Sequence, residues 1–339
     1  CRVAQTSREG RGAVAVNGID IPCPCAKQMK VHNFQNMVRA SGGILNASRC
    51  VPEGSRVEMV GVVCTKIRDT QRPLQVLDLS NNRIDGEEAR RIAEALGENR
   101  TLTELRLHGN LINTDGARHL AGALKVNAAM TNLNLSWNGI RAEGAAAIAE
   151  ALKVNAVLKS LDLARNQLCG IGRYGRGTYD SSGIHALASA LKVNAVLTEL
   201  NLSSNSIGPE AAVAIAESLK VNAVMKSLDL SHNNIGRYYE NGALVSTSEG
   251  PAAIAAMLKV NAVLTNLNLM SNSIEGVGAA ALGEALKVNA VLTNLILWGN
   301  NIGDAGAAAL GEALKVNAVL KSLDLRLNDC LLYTSPSPR

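Results

Sequence analysis

The sequence predicts an α/β solenoid, with a parallel sheet on a concave face and helices on the convex face, and three observations carry that prediction. A unit of 28 residues, twice lengthened to 39, starts nine times between residues 74 and 329. Each unit pairs a short alternating apolar segment with an Ala-rich one, the patterns of a strand and of a helix. Of 339 residues 47% are hydrophobic but only 2% are aromatic. Aromatic side chains usually bury the largest areas in a globular core, so a core of Leu, Ala, Val and Ile fits many thin, identical layers better than one thick one.

The unit opens on L-x-x-L-x-L-x-x-N, with first apolar residues at Leu74, Leu102, Met130, Leu158, Leu197, Met225, Leu264, Leu292 and Leu320. Alternation such as Leu133-Asn134-Leu135 predicts a short strand, and Gly144 to Lys153 predicts a helix. The motif Leu-Lys-Val-Asn-Ala follows each helix seven times, with lysines from Lys125 to Lys315. Its Asn, as at Asn155, is expected in the left-handed region after the helix end, and its Lys near the carbonyl terminus. Strands stack about 4.8 Å apart and helices about 10 Å apart, so the stack is expected to bend toward its strands into a horseshoe.

One Asn recurs where every strand ends: Asn82, Asn110, Asn138, Asn166, Asn205, Asn233, Asn272, Asn300 and Asn328. A buried amide both donates and accepts, so these residues are expected to form a structural ladder, and Asn205→Leu to destabilise by about 1–3 kcal/mol.

These motifs resemble the leucine-rich repeat, in the 28-residue form similar to ribonuclease inhibitor and to the repeat domains of nucleotide-binding innate-immune receptors. The resemblance spans residues 74–329, eight full repeats and the start of a ninth. It implies a non-enzymatic protein-interaction module, a scaffold or sensor, that is monomeric, cytoplasmic and without cofactor. Those receptors hold nucleotide in another domain, and no G-x-x-x-x-G-K-[ST] loop occurs in this sequence. Ran GTPase-activating proteins also use such repeats, which keeps GTPase activation as an alternative beside a purely structural spacer.

The flanks differ from the body. Residues 1–73 carry 11 Lys/Arg against 5 Asp/Glu, whereas residues 74–329 carry 22 against 24, so the net charge of +5 belongs to the flanks. Five of seven cysteines also precede residue 73, and a body so poor in Cys suggests a reducing compartment. Residues 57–73 are expected to cap the first repeat, after a basic leader with unpaired thiols. Cys23, Cys25, His32, Cys50 and Cys64 lack the paired spacing of a zinc site. The chain starts at Cys1, without a signal sequence, and reads as a fragment. Residues 330–339 resemble the translation of a transposase sequencing adapter, so the natural chain is expected to continue past Asp329. No apolar run is long enough for a membrane helix, and scattered basic residues do not point to nucleic acid.

Catalytic signatures are weak. Gly170, Gly172 and Gly175 match G-x-G-x-x-G but do not open a helix directly. Asp229, Ser231 and His232 follow one strand without an oxyanion partner. The sequons at Asn46, Asn99, Asn134 and Asn201 read as chance matches.

Binding residues are expected where the repeat varies. Positions three, five and seven face out of the sheet, and their Asp78, Glu104, Asp162, Glu199, Asp229 and Asp324 outnumber Arg106 and Arg326, which favours a basic partner. Trp137 and Trp298 stand at strand ends as candidate anchors. Both 39-residue repeats carry 11 extra residues after the ladder Asn and share Ile-Gly-Arg-Tyr. These insertions hold Tyr174, Tyr179, Tyr238 and Tyr239 beside Arg173, Arg176 and Arg237, residue types enriched in binding hot spots. They are expected to emerge about 10 Å apart at strand spacing and to form a joint protein-binding site.

Overall fold

The computed structural model describes residues 13–16, 19–22, 31–51, 53–171, 177–240 and 243–329. It divides into two units, residues 1–166 and 167–339. The glycine fingerprint at 172 and 175, residues 330–339, and Cys1, Cys23 and Cys25 lie outside the described residues.

The first unit opens with an antiparallel pair, β1 (Ala13–Val16) and β2 (Ile19–Pro22). Then follow α1 (Val31–Ala40), β3 (Gly43–Asn46), α2 (Arg56–Ile67), β4 (Leu74–Asp78), α3 (Gly86–Glu98), β5 (Glu104–Arg106), α4 (Asn113–Leu124), β6 (Asn132–Asn134), α5 (Arg141–Leu152) and β7 (Ser160–Asp162). Strands β3 to β7 pair in parallel in sequence order. Leu77 lies opposite Leu105, Leu105 opposite Leu133 and Leu133 opposite Leu161, so one sequence period is one strand step. A period-two strand sends every second residue to the same side. Leu105 and Leu107 are accordingly fully buried.

In the second unit the elements are α6 (Ser182–Leu191), β8 (Glu199–Asn201), α7 (Pro209–Leu219), β9 (Ser227–Asp229), β10 (Arg237–Glu240), β11 (Ala243–Ser246), α8 (Glu249–Leu258), β12 (Asn266–Asn268), α9 (Glu275–Leu286), β13 (Asn294–Ile296), α10 (Gly303–Leu314) and β14 (Ser322–Asp324). Strands β8, β9, β12, β13 and β14 form the same parallel order. Each unit is therefore a stack of strand, loop, helix and turn, an α/β repeat solenoid. The Ala-rich helices lie on the neighbouring helix through small side chains: a Cβ on Gly116 would stand 2.9 Å from that of Ala89.

The layering begins before residue 74. Strand β3 extends the sheet, with Leu45 opposite Leu77 and Asn46 opposite Asp78. That register puts Ala47 where Leu79 sits and Cys50 where the ladder Asn82 sits, and both are fully buried. Cys50 is disulfide-bonded, which corrects the expectation of unpaired thiols throughout this region. Phe34 and Val38 of α1 are also fully buried. Helix α2 covers α3 through its buried Met59, Val60 and Val63 and through ion pairs of Arg56 with Asp85 and Glu88.

The Asn of Leu-Lys-Val-Asn-Ala is not left-handed. None of Asn127, Asn155, Asn194, Asn222, Asn261, Asn289 and Asn317 has positive φ. What the position requires is the side chain. Asn127 Nδ2 donates to Leu96 O at the end of the preceding helix (2.8 Å), while Oδ1 accepts the Ala129 and Met130 N–H groups (3.0 and 2.8 Å). Carbonyls at a helix end have no intrahelical partner, and this amide supplies one from the next repeat. Lys125 and its equivalents are helical C-caps.

Candidate functional site

The strands end in a polar corner built twice over. The ladder Asn forms the inner layer: Asn110 Oδ1 accepts the N–H of Asn82 and Ile84 (2.9 and 3.0 Å), and its Nδ2 donates to Leu79 O and Leu107 O (3.1 and 2.8 Å). In the second unit Asn300 accepts from Asn272 N (2.8 Å) and donates to Leu269 O and Leu297 O (2.8 and 3.0 Å). All nine ladder residues are at most 6% exposed. Position five of the strand forms the outer layer. The side-chain oxygens of Asn46, Asp78, Asn134, Asp162, Asn201, Asp229, Asn268 and Asp324 each accept the N–H two residues on, at 2.8–3.1 Å. Such Asx turns close the strand, a task that explains the recurrence of Asp and Asn there.

Much of the strand face's negative charge is therefore anchored. Asp229 also accepts from Asn268 Nδ2 (2.9 Å) and Asp162 from Asn134 Nδ2 (3.1 Å). The two face arginines turn onto carboxylates of their own strands, Arg106 onto Glu104 and Arg326 onto Asp324. Asp324 is held below the usual carboxylate range by Arg326. The fixed carboxylates stay outward on a surface with few other large groups.

Trp137 and Trp298 occupy different repeat positions. Trp298 stands at position seven, half-buried on the strand face. Trp137 stands one residue further on, 41% exposed, with φ 59°, a conformation costly for a bulky L-residue. The Arg165 guanidinium lies 5.3 Å from its ring centroid. The equivalent position is Gly109, φ 68°, one repeat earlier. Trp137→Gly is expected to leave stability within about 1 kcal/mol. Relief of about 1–2 kcal/mol of backbone strain offsets about 0.5–1 from the lost cation–π contact and about 0.5–1 of glycine entropy. Urea unfolding checks it, since a Trp needed for packing would cost about 3–5 kcal/mol.

The insertions are not symmetrical copies. The second folds into the hairpin β10–β11, with Arg237 opposite Ser246 and Tyr238 opposite Val245. Of the first, Arg173, Tyr174 and Arg176 lie outside the described residues, as does the side chain of Tyr239. Their bases correspond residue for residue: Asp180 N donates to Cys169 O (3.0 Å), and Thr247 N to Gly236 O (2.8 Å). In that alignment Ile235 matches Leu168, both donating to the next ladder Asn, at 3.4 and 3.3 Å. The shared Ile-Gly-Arg-Tyr is thus displaced by three residues and marks no common place.

Both insertions return onto the following repeat at the third residue after its ladder Asn. The Tyr179 hydroxyl accepts the Gly208 N–H (3.2 Å), and the Ser246 hydroxyl meets the Glu275 carboxylate (2.5 Å). Burial and the nearby Cys169 thiol raise the Tyr179 pKa, and burial pushes the Cys169 thiol up to about 12. Tyr179 therefore pins its insertion and is 43% exposed, while Tyr238 is 41% and Leu244 48% exposed. Arg237 Nε bonds Asn234 Oδ1 at 3.3 Å.

Reactive groups are few among the described residues. His108 Nδ1 meets Ser136 Oγ at 2.7 Å on the strand face, but that hydroxyl also reaches Asn134 Oδ1 (2.7 Å). His185 pairs with Glu210 on exposed helices. No three His, Cys, Asp or Glu side chains gather as metal ligands among the described residues. No helix among them is long and apolar enough to cross a membrane.

A leucine-rich-repeat family profile matches residues 98–121, 126–149, 193–216, 221–236, 260–283 and 288–311, and a second matches residues 73–94. The chain is a leucine-rich-repeat protein. None of the curated proteins compared with it matches. Among solved structures, leucine-rich-repeat protein LegL7 from Legionella pneumophila is similar at 21% identity and a TM-score of 0.48, over 78% of each chain. Human 5T4, a trophoblast glycoprotein, is similar at 18% and 0.44, over 73% of this chain and 78% of its own. The actin-binding site 2 of leiomodin-1 is similar at 20% and 0.37, over 49% of this chain and 87% of its own. Leucine-rich repeats typically serve as non-enzymatic protein-interaction modules.

Proposed function

We propose that the repeat array binds a protein partner through the strand face together with the two insertions, as a scaffold or sensor module. The observation that carries this reading is the β10–β11 hairpin. It holds Tyr238 and Leu244 about half in solvent, beside Arg237, while the strand leucines of the repeats around it, such as Leu228 and Leu267, are buried. Tyr and Arg are enriched in binding hot spots, and Tyr has few torsions to freeze for the area it buries. The outward carboxylates of the strand face favour a partner with a basic contact surface. The 28-residue period with a helix in every layer supports the ribonuclease-inhibitor-like subtype.

The test must spare Tyr179, whose hydroxyl holds its insertion down. Full-length protein with Tyr174, Tyr238 and Tyr239 changed to Ser is compared with wild type in pull-downs of the wild-type partner. A hot-spot loss of about 2 kcal/mol corresponds to roughly 30-fold weaker binding, enough to remove a micromolar partner from the eluate. Unchanged recovery, with an unchanged melting curve, would sink the reading.

A further inference from the structure

At the opposite end of the strands from the Asn corner, each helix from α4 on passes into the next strand through Leu-Lys-Val-Asn-Ala, and one residue of that motif has no task in the fold. The Asn joins the repeats: Asn222 donates to Leu191 O (2.7 Å) and accepts from Val224 and Met225 N–H (3.0 and 2.8 Å). The Leu is core at Leu191, Leu219, Leu258 and Leu286, with Leu314 of α10 42% exposed, and the Lys closes the helix as its C-cap. The valine stands in solvent. In the second unit Val193, Val221, Val260, Val288 and Val316 are 60–65% exposed, and the packing of α6 through α10 in succession lines them up one per layer. A turn in water does not call for a β-branched apolar residue. Five in register make a row of apolar side chains, one per layer, along one edge.

The charge beside that row is opposite to the charge of the strand face. The same edge carries the five motif lysines and also Lys226 and Lys321 at the strand starts. Glu217, Glu284 and Glu312 each hold the lysine three residues on. Lys192 and Lys259 follow Ser189 and Ala256 at that spacing and have no such acid. An apolar line flanked by excess ammonium groups complements a segment with apolar residues on one side and carboxylates on the other. We propose that this valine–lysine edge is a second docking surface, separate from the strand face, for an acidic amphipathic segment of a partner protein.

A fluorescein-labelled peptide of two copies of Glu-Leu-Leu-Glu-Ala-Leu-Glu, titrated with the full chain and followed by anisotropy, provides the test. The expected result is saturable binding that weakens with salt, because exposed charges are screened. A variant with all five valines changed to Thr keeps the β-branched shape at exposed sites. It should melt with the wild type and bind at least about tenfold more weakly, a loss of about 1.4 kcal/mol. The same peptide with Lys in place of Glu should not bind, and Tyr238→Ser should leave binding unchanged. No binding by wild type, equal binding by the Thr variant, or valine-dependent binding of phosphatidylserine vesicles in place of the peptide would each overturn the proposal.

Discussion

Asn110→Leu is expected to lower the unfolding free energy of the protein by about 3 kcal/mol or more, read from urea or thermal denaturation. The Asn110 side chain is 4% exposed and sits among four backbone groups, two N–H and two C=O, that it pairs in the loops of two successive repeats. Leucine matches the volume and pairs none of them. Each buried group left without a partner costs about 1–3 kcal/mol, and partial relaxation keeps the sum below the full total. The transition should also broaden, because a stack in which each repeat contacts only its neighbours loses cooperativity where one interface is weakened. A loss below about 1 kcal/mol would mean that water replaces the amide and that the ladder is not what closes these loops.

Gly236→Ala should be nearly as damaging, for a different reason. The backbone there has ordinary φ, but a Cβ would lie 1.8 Å from Ser273 O and 2.7 Å from its carbonyl carbon. Those atoms belong to the backbone of the next repeat and cannot swing aside. Gly236 also gives its N–H to Asn272 O (2.9 Å) and accepts Thr247 N–H, so the hairpin's root must shift against its support. Overpacking of this kind costs about 1–3 kcal/mol or more. A fall in melting temperature together with lost partner binding is the expected outcome. Gly122→Ala is the control: nothing lies within 4 Å of a Cβ there, and in the last turn of α4 the change should stabilise by about 0.5 kcal/mol. Equal melting of the two variants would show that the close approach at Gly236 is not maintained.

The body of the fold was legible because its period is also its geometry. Leu77, Leu105, Leu133 and Leu161 recur in sequence at the spacing that places them side by side in the sheet. The layer at β3 was hidden because Ala47 and Cys50 replace Leu and Asn at the two most diagnostic positions; Cys is an accepted substitute at the ladder position, and Arg49, with φ 56° like Asn81 at 58°, repeats the loop conformation. Asn155 misled for a physical reason. Asn is favoured in left-handed backbone and also as a bifunctional side chain, and composition does not separate the two. Position-five Asp residues such as Asp78 and Asp229 read as free surface charge, yet their local turn is encoded by the residue type itself. Ile-Gly-Arg-Tyr invited an alignment that the hydrogen bonds of Leu168 and Ile235 place three residues away.

The two asparagine ladders also give the array a direction. Asn110 completes the loop of the repeat before it, and Asn127 completes the helix end of the repeat before it. In both ladders the later repeat satisfies the earlier one, so each layer's backbone is finished only when its successor has docked. Strand hydrogen bonds run both ways between repeats and are lost at either end, but peeling a layer from the late end also takes the amides that close the loop and helix end of the one beneath, whereas removing an early layer leaves those of its successor closed. Partial unfolding should therefore be polar, with its low-energy route set by which end opens first.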